Sequence, residues 1–177
     1  MTSKLMENGI MRLFIAIKLD DNMVEALSDY LDDMRAAGVR GNFTKPENIH
    51  ITLAFIGEYG NPQDVLDIMA ETDFSAFDIS LDRTGDFGEL FWAGISDNPA
   101  LASYVKRLRK GLADAGIPFD RKKFSPHITL VRKPIYKHWH PENPPKGHMR
   151  VERISLMKSE RGKNGMIYTE LGCVEDA

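Results

Sequence analysis

The chain has 177 residues, of which 42% are hydrophobic and 28% charged, and those fractions exclude a disordered or low-complexity polymer. Lys and Arg number 23 against 26 Asp and Glu, a formal net charge of −3. This excludes a protein that clamps nucleic acid along an extended basic face, though not one with a small basic cleft.

In chain order, residues 1–11 read as a flexible polar tail, with no apolar segment of the signal-peptide kind. Arg12-Leu13-Phe14-Ile15-Ala16-Ile17 follows as a first strand. From about Asp21 to Ala37, apolar residues recur at helical steps: Met23, Ala26, Leu27, Tyr30, Leu31 and Met34. Gly38 is placed to close this helix as an αL cap. Phe43 and Pro46 mark a turn, and His50-Ile51-Thr52-Leu53 opens an apolar strand. Ile79-Ser80-Leu81 belongs to a later one.

The same order then recurs. Leu90-Phe91-Trp92-Ala93 is β-rich. A second helix is expected from about Asn98 to Ala115, with Leu101, Tyr104, Val105, Leu108, Leu112 and Ala115 on its apolar face and Gly116 as its cap. Phe124 and Pro126 precede His127-Ile128-Thr129-Leu130. Residues Lys137–Gly147, with Pro141, Pro144 and Pro145, read as a loop. Ile154-Ser155-Leu156 matches the Ile-Ser-Leu of the first half.

The two His-Ile-Thr-Leu copies lie 127 − 50 = 77 positions apart, and the same shift aligns helices, caps and flanking strands. Two units of this length are too few for a solenoid. They predict an α+β fold: a bilobal molecule of pseudo-twofold duplicated β-α-β units, with two antiparallel sheets lining a central cleft. Residues 12–177 then form one bilobal domain.

In a strand, residues i and i+2 share a face, so each copy presents an imidazole beside a hydroxyl. Two such pairs meeting at one cleft supply a general acid and a general base, His50 and His127, without a covalent intermediate or a metal. Thr52 and Thr129 can donate to phosphate oxygens. Arg132 carries a fork of donors suited to phosphate, but strand alternation brings it to the face of Thr129 only if a bulge intervenes; otherwise it is a solvated strand end. Phe14 and Phe91, aligned by the shift, are either core residues or stacking platforms for a nucleobase.

His138, Trp139, His140 and His148 lack the spacing of a metal site, and no metal or other cofactor is expected. Gly-x-Ser-x-Gly and P-loop patterns are absent. The single cysteine, Cys173, cannot form an internal disulfide, and no run spans a bilayer. A cytoplasmic protein without membrane association is expected.

These residues resemble the two-histidine (2H) phosphoesterase superfamily, and within it the RNA 2′,3′-cyclic phosphodiesterases, also called the 2′-5′ RNA ligase family. The likeness runs from Arg12 to Leu171 and rests on the opening strand, Pro46-Glu47-Asn48-Ile49-His50-Ile51-Thr52-Leu53, Leu90-Phe91-Trp92-Ala93-Gly94 and Phe124-Ser125-Pro126-His127-Ile128-Thr129-Leu130-Val131-Arg132. The resemblance implies hydrolysis of a terminal 2′,3′-cyclic phosphate to a 2′-phosphomonoester. His50 would be the acid for the departing 3′ oxygen and His127 the base for water. Thr52, Thr129 and Arg132 would hold the phosphoryl oxygens. The implied partner is an RNA with a cyclic phosphate end, or a cyclic nucleotide, and the chain is expected to act as a monomer. Run in reverse, the same groups imply a minor 2′-5′ ligation. The competing readings are a phosphodiesterase for ADP-ribose cyclic phosphate or a 2′-5′ oligonucleotide, and a non-catalytic RNA-end binder.

Overall fold

The computed structural model describes residues 11–136 and 143–176. Its strands are β1 (Met11–Lys18), β2 (Arg40–Phe43), β3 (His50–Tyr59), β4 (Phe77–Asp86), β5 (Leu90–Ile95), β6 (His127–Ile135), β7 (His148–Val151), β8 (Arg153–Gly162) and β9 (Gly165–Glu175). Its helices are α1 (Asp21–Ala36), α2 (Pro62–Glu71) and α3 (Pro99–Asp114), with a short 3-10 turn at Pro46–Asn48. β1 begins at Met11, one residue before the expected strand, and the rest of the expected tail lies outside the described residues. Of the expected loop, residues 137–142 also lie outside them. Among the described residues, no helix is long and apolar enough to cross a membrane.

The two long helices begin and end as the repeat requires. Asp20 and Asn98 cap their N-termini by accepting from the amides of Met23 and Leu101. At the C-termini, Gly38 and Gly116 take positive φ, 92° and 73°. The following amides, Val39 and Ile117, reach back to the carbonyls of Met34 and Leu112, which closes both ends as Schellman motifs.

The strands follow the order β7-β4-β5-β6-β3-β1-β8-β9, with β2 also paired to β6. The path has two halves that meet at β3 and β6. One is β3-β1-β8-β9 and the other is β6-β5-β4-β7. The strands carrying Ile-Ser-Leu have changed places between them. β4, from the first half of the sequence, pairs with β5 of the second. β8, from the second half, pairs with β1 of the first. Each lobe is thus completed by a strand of the other repeat.

The helices cover one face of this sheet. Met23, Leu27, Leu31 and Met34 of α1, Val65 and Met69 of α2, and Leu101, Val105, Leu108 and Leu112 of α3 form one core with Leu13, Ile15, Ile17, Ile51, Leu53, Ile128 and Leu130. Period-two alternation turns the neighbours of those strand residues to the opposite face, where the cleft lies.

Candidate active site

The two motifs lie side by side on neighbouring antiparallel strands, joined in register by the pair Ile51↔Ile128. Both isoleucines are fully buried. The residues on either side of them are half-buried on the cleft face: His50, Thr52, His127 and Thr129. The register sets His50 beside Thr129 and Thr52 beside His127, so a local twofold passes between the isoleucines.

Both imidazoles are held the same way. Nδ1 of His50 lies 2.7 Å from the Asn48 carbonyl oxygen, and Nδ1 of His127 lies 2.8 Å from that of Ser125. A carbonyl only accepts, so Nδ1 carries the proton in both rings. The neutral ring then keeps its lone pair on Nε2. In His50 that nitrogen is 2.9 Å from Thr52 Oγ1, whose hydroxyl donates to it. Burial lowers the pKa of His50 below its ordinary value of 6.5; the Asn48 carbonyl opposes this, while the charges of His127 and Arg132 lower it further. These effects together favour the neutral form of His50.

Arg132 joins this face through the bulge that alternation demanded. On the β5–β6 ladder, Phe91 pairs with Val131 but Trp92 pairs with Thr129, so Leu130 is the extra residue. Val131 is turned into the core and Arg132 outward. Lys133 follows with φ 51°, an uncommon conformation for a residue with a side chain, and its amide is fixed by the Glu89 carbonyl at 2.7 Å. The cleft, about 640 Å³, is lined by both histidines, both threonines, Arg132 and Tyr168.

The aromatic expectations need correction. Phe14 lines the cleft but is only 4% exposed. Its ring centroid is 5.0 Å from His50 and 5.0 Å from Tyr168, so it packs the histidine in place rather than offering an open face. Phe91 is not on the cleft. It is 2% exposed in the main core, stacked on Tyr30 with centroids 6.4 Å apart. Thr52 faces Ala16, and Thr129 faces Trp92. The separations are 52 − 16 = 36 and 129 − 92 = 37, and that single residue exchanges the two faces of β5 relative to β1. The exposed ring beside His127 belongs to Phe87, 58% exposed and 6.0 Å away edge-on.

Three residues with site contacts escaped the sequence reading. Tyr168 stands edge-on to His50 at 5.3 Å, although 118 positions separate them. Asn48 accepts from His50 through its carbonyl, and its side chain donates to the Met166 carbonyl at 2.9 Å, tethering the β8–β9 hairpin beside the ring. Its signal was present: Asn48 and Ser125 both stand two residues before a motif histidine. Arg109 on α3 supports the motifs from behind. It donates to the Leu53 carbonyl at 3.1 and 2.9 Å and to that of Lys122 at 2.7 Å.

Two imidazoles, two hydroxyls and a guanidinium around one cleft suit transfer of protons on opposite sides of a phosphoryl group held by neutral and cationic donors. Among the described residues, no three His, Cys, Asp or Glu side chains converge as a metal site would require. His138, Trp139 and His140 lie outside them, and His148 opens β7.

A curled antiparallel sheet with paired His-x-Thr strands at its centre defines a two-histidine phosphoesterase domain. The family model of the 2′-5′ RNA ligase superfamily matches residues 23–163, and the chain belongs to that superfamily. It is 30% identical to the RNA 2′,3′-cyclic phosphodiesterase of Archaeoglobus fulgidus, covering 93% of this chain and 100% of the relative. It is 28% identical to that of Thermotoga maritima over 91% and 93%. Among solved structures, the apo form of E. coli LigT superposes with a TM-score of 0.80 at 26% identity, covering 94% of this chain and 98% of that one.

Proposed function

We propose that this chain is an RNA 2′,3′-cyclic phosphodiesterase, a hydrolase that opens a terminal 2′,3′-cyclic phosphate and leaves a 2′-phosphomonoester. The observation that carries the reading is the matched pair of imidazoles, each with Nδ1 satisfied by the carbonyl two residues upstream and both on one cleft with Arg132. The family relatives named for this activity support it, and a structure of E. coli LigT complexed with 3′-AMP supports a nucleotide as ligand.

In this reading His127 Nε2 takes a proton from water as it attacks phosphorus. His50, protonated when substrate binds, gives its proton to the departing 3′ oxygen. Thr52, Thr129 and Arg132 donate to the non-bridging oxygens, where charge builds in the transition state. With the 5′-hydroxyl of a second RNA end in place of water, the same groups would open the cyclic phosphate to a 2′-5′ phosphodiester, the P–O3′ bond breaking and the 3′ oxygen taking the proton from His50, without ATP and as a minor activity. The chain works as a monomer in the cytoplasm and needs no metal.

Purified protein incubated with 2′,3′-cyclic AMP should yield 2′-AMP, identified by phosphorus NMR. Replacing either histidine, His50→Ala or His127→Ala, should lower kcat by about 10²–10⁴-fold with the fold retained, and EDTA should leave the wild-type rate unchanged. A 3′-phosphate product refutes the assigned regiochemistry. Full activity in either folded variant removes that histidine from the chemistry. Loss in EDTA restored by added metal refutes the metal-free mechanism.

A further inference from the structure

Beyond the motif residues, the wall of the cleft carries two more guanidiniums, Arg12 and Arg161, and no carboxylate. For a chain with formal net charge −3, that is a local reversal of sign. Several exposed arginines meet acids, as Arg35 meets Asp32, Arg150 meets Asp78 and Glu152, and Arg153 meets Glu170 and Glu175, while Arg40, Arg107 and Arg121 form no ion pair among the described residues and lie outside the cleft wall. Arg12 and Arg161 form no ion pair among the described residues, although Glu58 stands opposite Arg12 on β3 outside the cleft lining.

Their placement follows from the strands. Arg12, Phe14 and Ala16 alternate onto the cleft face of β1, and Arg12 pairs in register with Ser159 of β8. Arg161 lies two residues beyond Ser159 on the same face. The Arg12 guanidinium sits over the Phe55 ring, 5.0 Å from its centroid. That contact fixes the plane of the fork and leaves its edge donors open. Ala16 marks the level of Thr52 on β1, and Arg12 lies four residues further along, roughly 13 Å at strand spacing. The backbone of Arg12 is thus set well along the cleft wall from the level of Thr52 and Thr129.

We propose that Arg12 and Arg161 form a second anion subsite that holds an upstream phosphodiester of the strand whose cyclic end lies at His50 and His127. The inference rests on the function proposed above and narrows it. A cyclic mononucleotide has one phosphate and leaves this subsite empty, whereas an RNA end fills both. The cleft therefore selects polymer ends over free cyclic nucleotides.

The test compares kcat/KM for 2′,3′-cyclic AMP and for a trinucleotide RNA with a 2′,3′-cyclic end, in wild type, Arg12→Ala/Arg161→Ala and Arg12→Lys/Arg161→Lys. Wild type should prefer the RNA. The double alanine variant should lose about tenfold on the RNA, mainly through KM, with 2′,3′-cyclic AMP turnover unchanged; the retained turnover also reports an intact fold. Its plot of log KM against log salt for the RNA should be shallower by about 0.7, the contribution of one phosphate contact to a single strand. The lysine variant, which keeps the charge, should recover part of the preference. Equal kcat/KM on both substrates in wild type overturns the proposal. So does an equal loss on both in the alanine variant, which would place these arginines at the cyclic phosphate or in folding. If wild type turns over neither substrate, the phosphodiesterase reading itself fails, and the second subsite falls with it.

Discussion

The Asn48 carbonyl holds a proton of His50 on Nδ1, and burial together with the charges of His127 and Arg132 lowers its pKa from 6.5 against the opposing effect of that carbonyl. An acid must first hold its proton, so in the free protein the fraction able to act shrinks as pH rises through that lowered value. A bound phosphate anion beside Arg132 reverses the local sign and favours the imidazolium. The profile of kcat/KM reports the free protein and that of kcat the complex. The falling limb assigned to His50 should therefore lie below pH 6.5 in kcat/KM and at higher pH in kcat. Stopped assays with 2′,3′-cyclic AMP across the acid range would show it. A limb that rises with pH through the same value would make His50 the base and exchange the two roles. The histidines and threonines were legible because a strand period of two puts residues i and i+2 on one face whatever the rest of the fold does. Tyr168 was not, because it reaches His50 only after the β8–β9 hairpin is tied to the 46–48 turn by Asn48.

At the scale of elements, β3 and β6 must keep one relative position for the two motifs to share a cleft. Their ladder gives little help: one register pair, Ile51↔Ile128, joins them. Thr44, ahead of β3, bonds to the Leu130 and Thr129 carbonyls of β6, and α3 adds Arg109, whose guanidinium ties the Leu53 carbonyl of β3 to the Lys122 carbonyl in the segment leading to β6. Its pKa is lowered by burial, yet an arginine stays charged, and Phe119 and Phe124 lie 5.9 and 5.6 Å from it. Hydrogen bonds from a charged donor are worth about 1.5–3 kcal/mol each, less than additively. Arg109→Met should cost about 3 kcal/mol in urea denaturation, and Arg109→Lys should recover less than half, since an ammonium lacks the planar fork. A change within about 0.5 kcal/mol, ordinary for a surface site, would show that the strands hold position without it. The two long helices were readable to within a residue or two, since Asn98, Gly38 and Gly116 are local signals, whereas the shorter α2 (Pro62–Glu71) was not expected from the sequence. The face of Phe91 was not readable. It depends on the register of β5 against β6, one residue off that of β1 against β3, and no local pattern in Leu90-Phe91-Trp92-Ala93 encodes a partner strand.

For the whole molecule, the duplication does not produce two independent lobes. β4 leaves its own repeat to pair with β5 and β7, and β8 returns to pair with β1. A chain holding only the first repeat would leave β1 without its β8 neighbour and β4 without either partner. Leu13, Ile15 and Ile17, all fully buried, would then lie on a strand with an open edge. The exchange could not be seen in the sequence, because Ile79-Ser80-Leu81 and Ile154-Ser155-Leu156 are equally good strands in either lobe; only pairing within both halves of the sheet decides between them. A fragment of residues 11–86 should show no cooperative thermal transition by circular dichroism, nor should residues 87–176. Mixing the two should restore both a cooperative transition and turnover of 2′,3′-cyclic AMP, because each fragment supplies the strand the other lacks. A cooperative transition in either fragment alone would mean that a repeat can satisfy its own sheet, and the two lobes would then be separable domains rather than one exchanged fold around a shared pair of histidines.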